Sequence, residues 1–490
     1  MTAISPSSPQ RVAARWWGRL SLGCLFLVFA AGPTAAPACA PPPGENRPNF
    51  VILFADDLGY GDLGCYGSEK IRTPNLDRMA DEGMRFTDFY VAAPVCSASR
   101  AALLTGRYPI RTGVTGVISA NTKRHLPLGE VTIAERFKTM GYSTAIFGKW
   151  HLGNSPEVWP LNQGFDEWFG TVGSNDMGKG RPSLEARRAG KAGVELVDRD
   201  KVIEVDPDQR LLTRRCTERA IDFIRRNTQQ PFFLYVPYNM PHTPIFASPQ
   251  FAEKSARGLY GDVIAEIDWS VGQILDAIRA AGIDERTFVL FTSDNGPWLI
   301  FGDHGGSAGT LSGGKKQILE GGMRVPMIVR GPGRVPEASV TRTVASALDL
   351  TPTLLAMAGV TRLPGGLDGR DLSKRLLGKD DGANVDRPFF YFWEREPRAV
   401  RLGRWKLQLA HVDAQTPDPA GIGHGGERGQ VMKVSRPLAL FDLRSDPGET
   451  QNLASRHPER VEQLKRLLAS FEQELAAGEG KPQSPPRRNK

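Results

Sequence analysis

Cysteine is scarce, with five residues in 490, and two of them, Cys24 and Cys39, lie in the first forty. A disulfide-stapled scaffold is therefore excluded. Cys65, Cys96 and Cys216 remain, an odd number for an oxidising compartment. Their spacing shows no zinc pattern, and histidine and cysteine form no cluster of metal ligands. Asn-x-Ser/Thr sequons are absent, which favours a bacterial exported protein over a eukaryotic lysosomal one. Beyond the first forty residues no run is long and apolar enough to cross a membrane. No internal repeat is present. One-signed charge is missing from the body as well. The formal net charge is +8, yet Arg11, Arg15 and Arg19 at one end and Lys481, Arg487, Arg488 and Lys490 at the other supply most of it. The rest is near neutral, so nucleic acid is not an expected partner.

What is present suffices for more than one domain and a large core. Residues 1–40 read as a signal peptide. They combine the three arginines, an apolar stretch Leu20–Ala31 too short to span a bilayer, and small residues at Ala38-Cys39-Ala40 for cleavage. An uncleaved anchor is one alternative. Lipidation at Cys39 is a weaker one, because Ala36-Pro37-Ala38 fits a lipobox poorly. A periplasmic or extracellular location is expected, with no stable membrane span after signal removal. Residues 41–47 are a Pro-rich spacer, 48–385 a catalytic domain, 386–477 a C-terminal α+β subdomain, and 478–490 a disordered tail.

Apolar runs at Phe50–Ala55, Tyr142–Phe147, Pro231–Val236, Thr287–Thr292 and Val325–Val329 predict buried strands. Helical patterns at Glu130–Met140, Leu211–Arg226 and 261–281 alternate with them. Val263, Ile264, Ile267, Val271, Ile274, Leu275 and Ile278 make the clearest apolar stripe. A helix within Val340–Gly359 is expected to be interrupted at Pro352. Residues 178–209 read as a surface excursion bordering the substrate entrance, and 411–434 as a polar, Gly-rich insertion. This alternation predicts an α/β fold: a large domain with a mainly parallel mixed sheet flanked by helices. The smaller C-terminal domain should hold an antiparallel sheet (Arg387–Phe392, a hairpin about Gly403-Arg404, Leu438–Asp442) and the helix His457–Leu475.

Polar residues follow directly on four of the strands: Asp56 and Asp57, Lys149 and His151, His242, and Asp294 and Asn295. In open parallel sheets such strand ends converge on one edge, where sites form. Taken one at a time, each cluster is most simply a solvated loop, and four together are not. The stretch 94–107, Pro-Val-Cys-Ser-Ala-Ser-Arg-Ala-Ala-Leu-Leu-Thr-Gly-Arg, adds a cysteine and an arginine four apart. A helix starting near Ser99 would leave Cys96 just ahead of its N-terminus, where free N–H groups favour an anion.

This stretch resembles the signature of the type I sulfatases, the arylsulfatase A and N-acetylgalactosamine-6-sulfatase-like branch of the alkaline phosphatase-like superfamily. Gly141-Tyr142 through Gly148-Lys149-Trp150-His151, Phe288 to Gly296, and Gly314-Lys315 through Glu320-Gly321-Gly322 resemble it too. The chain departs at Ala98, where the family usually has proline. The resemblance implies hydrolysis of aryl or carbohydrate sulfates through a formylglycine (3-oxoalanine) hydrate derived from Cys96 by a maturation enzyme. It implies one divalent cation on Asp56, Asp57, modified Cys96, Asp294 and Asn295. Hard oxygen ligands suit Ca²⁺ first and Mg²⁺ second. Arg100, Lys149, His151, His242, Lys315 and Ser174 would surround the sulfate. Asp294 would assist attack, His242 with Lys315 would protonate the leaving alcohol, and His151 would accept the final proton. With Cys96 consumed, Cys65 and Cys216 are left as a candidate pair. The partner is a sulfated small molecule or a sulfated glycan. Two other readings stay open: a phosphonate or phosphate monoester hydrolase, and a non-catalytic sulfated-glycan binder.

Overall fold

Every residue of Asn49–Ala55 is buried, and the stretch forms a central strand of a ten-stranded sheet. The computed structural model describes residues 47–178, 183–380 and 386–478. The expected signal peptide and all but the first residue of the expected tail lie outside these. In chain order the sheet consists of β1 (Asn49–Ala55), β2 (Gly83–Phe86), β3 (Ser143–Phe147), β4 (Glu167–Thr171), β5 (Glu195–Asp198), β6 (Lys201–Val205), β7 (Phe232–Pro237), β8 (Thr287–Ser293), β9 (Met327–Arg330) and β10 (Ser339–Thr341). In space the order is β10-β2-β9-β8-β1-β7-β3-β4-β5-β6. The central run β8-β1-β7-β3-β4 is parallel throughout. Antiparallel β9 and β5 flank it.

Strand alternation builds two cores. Phe50, Ile52 and Phe54 of β1 face one apolar cluster, while Val51, Leu53 and Ala55 face the other. The helix Leu212–Arg226 and the helix Leu259–Ala280 cover the second face, the latter with the stripe from Val263 to Ile278. On the first face lie α1 (Cys96–Thr105) and the short helix Ile133–Thr139. The C-terminal antiparallel sheet, Phe389–Trp393, Glu396–Leu402, Trp405–Gln408 and Ala439–Asp442, contributes to the same cluster. The helix Pro458–Ala476 buries Val461, Leu464, Leu468 and Phe471 there. Phe471 stacks on Phe390 at 4.1 Å between ring centroids and meets Tyr108 edge-on at 5.3 Å.

Several elements differ from expectation. The helix expected from Glu130 starts at Ile133, because Thr132 caps it in a reciprocal capping box with Glu135. Pro352 interrupts nothing: it lies in the first turn of the helix Leu350–Met357, where its missing N–H is tolerated. Residues 178–209 are not wholly an excursion, since β5 and β6 extend the sheet. Alternation was hard to see there because only β5 is buried, while Val202, Ile203 and Val205 of β6 are exposed. The insertion 411–434 holds a hairpin, His411–Pro417 against Val431–Arg436. Cys65 and Cys216 are free thiols, so the candidate pair is not formed.

Gly148 shows how tightly the sheet edge is drawn. It leaves β3 at φ 140°, and a Cβ there would sit 1.9 Å from the Pro237 carbonyl oxygen at the end of β7. Gly148→Ala should therefore cost roughly 2–3 kcal/mol by forcing two strand ends apart. Urea denaturation checks this, and an unchanged midpoint would refute it.

Candidate active site

Five neighbouring parallel strands end at one edge, and each delivers chemistry there. β1 runs into Asp56 and Asp57, β8 into Asp294 and Asn295, β3 into Lys149 and His151. His242 follows β7 and Ser174 follows β4. The pairing β8-β1-β7-β3-β4 makes these ends adjacent. Lys315 comes instead from the loop between β8 and β9.

Cys96 is the first residue of α1, one turn earlier than expected, with Val95 as N-cap. Its sulfur and one carboxylate oxygen each of Asp56 and Asp294 lie within 4.8 Å of one another, all buried. Arg100, one turn on, sends Nη2 to Asp294 Oδ2 at 2.7 Å and lies 3.5 Å from Asp56 Oδ1. Lys149 Nζ reaches Asp56 Oδ2 at 2.5 Å and Ser174 Oγ at 3.3 Å. Lys315 Nζ reaches Asp57 Oδ1 at 2.6 Å. Asn295 Nδ2 donates to the same oxygen at 2.7 Å. His242 lies 3.4 Å from Ser174 Oγ and 3.8 Å from Asp57 Oδ2. The site residues expected from the sequence thus meet in one buried cluster, except that His151, also buried, is placed near it only by the charges of Lys149 and Arg100 that act on it.

Three carboxylates face three fixed cations in this cluster. Burial pushes the Asp56 carboxyl up, but Lys149 and then Arg100 outweigh it and hold it well below the usual carboxylate range. Asp294 goes the other way, to about 7, because burial and the Asp56 charge exceed the pull of Arg100. Burial, with Lys149 and Arg100 beside it, drives the His151 pKa well down, and burial with Lys315 does the same for His242. Both imidazoles are neutral. His151 Nε2 lies 3.0 Å from the Ile118 carbonyl oxygen, so Nε2 carries the proton. The buried Nδ1 has no partner and is left as an acceptor.

Two buried oxygens, Asp56 Oδ1 and Asn295 Oδ1, accept no hydrogen bond. Buried polar atoms without partners are rare and call for an explanation. Carboxylates plus an amide oxygen form a hard-donor set, and a cation against these orphaned atoms satisfies both. The residues therefore fit a divalent ion. Its charge would leave the cluster with a positive excess, as a receptor for an oxyanion needs. Strain also concentrates here. Asp57, His151 and Lys316 all have positive φ (69°, 59° and 69°), costing on the order of 1 kcal/mol each.

The sequence did not point to Trp298. Its ring lies 5.4 Å from the His242 ring and 4.3 Å from Lys315 Nζ. The signal available was an aromatic three residues after Asn295, directly beyond Gly296-Pro297. The Ile118 carbonyl that orients His151 left no trace in residue type, because any residue supplies a carbonyl.

A mixed sheet with this buried, charge-balanced, oxygen-rich edge defines a hydrolase for esters of tetrahedral oxyanions. The Sulfatase family description matches residues 48–360, and the C-terminal region of aryl-sulfatase matches 384–485. The chain belongs to the sulfatase family and is a sulfuric ester hydrolase. It is 40% identical to arylsulfatase A of Homo sapiens over 469 residues, covering 90% of this chain and 89% of that protein. It is 40% identical to N-acetylgalactosamine-6-sulfatase of Canis lupus familiaris over 488 residues, covering 92% and 88%. Among solved structures it is similar to a sulfatase from Pseudoalteromonas sp., with a TM-score of 0.76 at 25% identity, covering 87% and 90%.

Proposed function

We propose that this chain hydrolyses sulfate esters with Cys96 oxidised to formylglycine and with one oxygen-bound divalent cation, Ca²⁺ before Mg²⁺. The observation that carries it is the convergence of Asp56, Cys96 and Asp294 within 4.8 Å at the N-terminus of α1. Asp56, Asp57, Asp294 and Asn295 would hold the cation together with residue 96. The cation supplies Lewis-acid polarisation of sulfate oxygens, and the hydrated aldehyde supplies a nucleophilic hydroxyl beside a second one that allows sulfate to leave.

The chain's own groups do the rest. Arg100 is locked on Asp294, which keeps a fixed positive charge one turn from residue 96. Lys149 and Lys315 neutralise charge on the sulfuryl oxygens, and Ser174 and His242 bind the ester. The Lys315 ammonium stays charged, because burial works against it but the Asp57 carboxylate more than compensates. Asp294 assists the attacking hydroxyl. His242, neutral at rest, can protonate the leaving alcohol only once the bound anion has charged it. His151 presents an unprotonated Nδ1, as acceptance of the last proton requires. Trp298 packs on His242 and Lys315, which limits water at both.

A catalytic part over 48–385 and a C-terminal part over 386–477 are supported by the two family matches. Export to the periplasm or exterior rests on the N-terminal sequence, and a bacterial source on the absence of Asn-x-Ser/Thr sequons. Among the described residues no helix is long and apolar enough to cross a membrane.

The mass of the Cys96 peptide tests the modification, since formylglycine is lighter than cysteine. Chelation tests the cation. Removing it should lower turnover of an aryl sulfate by on the order of 10²-fold or more, with Ca²⁺ restoring more than Mg²⁺. Full activity after exhaustive chelation would argue against the oxygen site.

A further inference from the structure

One cavity, of about 240 Å³, opens beside the cluster without sharing its residues. Two segments join it to the reacting centre. Val95, on its wall, immediately precedes Cys96, and Lys316, on its rim, follows Lys315. The Lys316 N–H donates to the Pro94 carbonyl at 2.9 Å, which ties these segments together. Lys315 reaches inward to Asp57. Lys316, at φ 69°, lines the cavity instead, with its Nζ 5.2 Å from the Trp298 ring.

The lining is of two kinds. Val95 belongs to a small apolar cluster onto which Val117 and the half-buried Trp393 pack. Around this floor stand Arg124, Lys316 and Glu394. An apolar patch with an aromatic face and a rim of charged hydrogen-bonding groups matches a pyranose, whose ring face is apolar and whose edge is polar. The volume suits one ring rather than a chain of them. Two cations against one carboxylate bias the rim toward anions. The Lys316 ammonium is under further positive pressure: burial, Lys315 and Arg428 all lower its pKa. An anion bound there relieves that repulsion. Glu394 is left to accept from ring hydroxyls.

We propose that this cavity receives the alcohol side of the ester, and that it selects a single sugar ring carrying a second anionic group, either another sulfate or a carboxylate. The inference rests on the sulfatase reading of the adjoining site. Arg124 and Lys316 are its specificity-determining residues, and Trp393 is its platform.

The test compares kcat/KM for three one-ring probes: a monosulfated hexosamine, the same hexosamine with a second sulfate, and a monosulfated hexuronic acid. The native protein should favour one or both doubly charged rings by about 10-fold or more, the worth of one charge-assisted contact. Which ring wins identifies the second group as sulfate or carboxylate. That ratio should fall toward one in Arg124→Gln and in Lys316→Asn, asparagine being chosen because it tolerates the left-handed backbone. Equal kcat/KM for all three rings in the native protein, or a ratio that both substitutions leave intact, overturns the proposal. A second measurement does not depend on turnover. Calorimetry with Cys96→Ala protein and the desulfated acidic ring should show binding that Arg124→Gln weakens about 10-fold, and absence of binding overturns the proposal as well. If the native protein with converted Cys96 hydrolyses no sulfate ester yet still binds that ring, the sulfatase chemistry fails and the subsite stands.

Discussion

Cys96→Ala is expected to lower turnover of an aryl sulfate by on the order of 10⁴-fold or more, the scale seen when a covalent nucleophile is removed. The reason is local. Residue 96 places a side chain that can become a nucleophile against both Asp56 and Asp294, whereas Arg100, which also meets both, is a fixed cation. Arg100, Lys149, Lys315 and the two histidines can bind and orient an ester, but none is placed to attack sulfur. Burial also raises the Cys96 thiol pKa, with Lys149 and Lys315 only partly opposing, so an unconverted thiol is a poor nucleophile here. Alanine fits the first position of α1 without strain, so circular dichroism and the melting temperature should hardly change. That separates loss of chemistry from loss of fold. Retention of activity within tenfold of the native protein would sink the assignment. Serine at the same position is expected to be nearly as inactive, because it offers one hydroxyl and no second to expel sulfate.

The second large effect concerns stability. Glu320, fully buried, accepts from the Tyr90 hydroxyl at 2.5 Å, from the Tyr391 hydroxyl at 3.1 Å and from Lys406 Nζ at 3.1 Å. Lys406, also fully buried, pairs with Glu449 at 2.8 Å and donates to the Ile318 carbonyl at 2.9 Å. Arg401 and Arg324 complete the cluster, which joins Tyr90, Glu320 and Arg324 to Tyr391, Arg401, Lys406 and Glu449. Lys406→Met leaves two buried carboxylates without their ammonium and should cost about 3–5 kcal/mol. Urea denaturation at neutral pH measures it. Adding Glu320→Gln should recover part of the loss, since the pair is coupled and its single-mutant costs do not add. A loss below about 1 kcal/mol, or strict additivity, would show that the cluster is solvated rather than buried.

The same cluster sets an acid limit. Burial pushes the Glu320 carboxyl up, but Lys406, Arg401 and Arg324 outweigh burial and hold it at about 2. A folded-state pKa below the unfolded one favours folding above the unfolded value. That contribution, on the order of 3 kcal/mol, is therefore present above about pH 4.5 and is lost as pH falls toward 2. Glu320→Gln should flatten stability across that window.

Much of this was legible before any coordinates. Strands β1, β3, β7, β8 and β9 announce themselves because both faces are buried, so their sequences are unbroken apolar runs. The helix Leu259–Ala280 shows its stripe because one face packs on the sheet while the other, with Gln273, Asp276 and Arg279, stays wetter. Short or exposed elements do not announce themselves: β2 and β5 are four residues each, and β6 is largely exposed. Helix ends were blurred where the cap decided them, as at Thr132. The site was legible where polar residues follow a strong strand. Trp298 and the Ile118 carbonyl were not, because neither residue type implies a role without its neighbours in space.

By itself the sequence determined the class of architecture, the identities of the ionisable groups, and the strands that carry them. Those follow from local periodicity and from side-chain chemistry, which travel with the chain. Only the tertiary structure decided the spatial order β8-β1-β7-β3-β4, and hence which acid faces which base. It also decided that Asp56 stays ionised while Asp294 is pushed to about 7, though both are aspartates at strand ends. The physical reason is that a protonation state depends on desolvation and on charges a few ångströms away. Those charges come from residues as much as 259 positions apart in sequence, between Asp56 and Lys315, that meet only when the sheet closes.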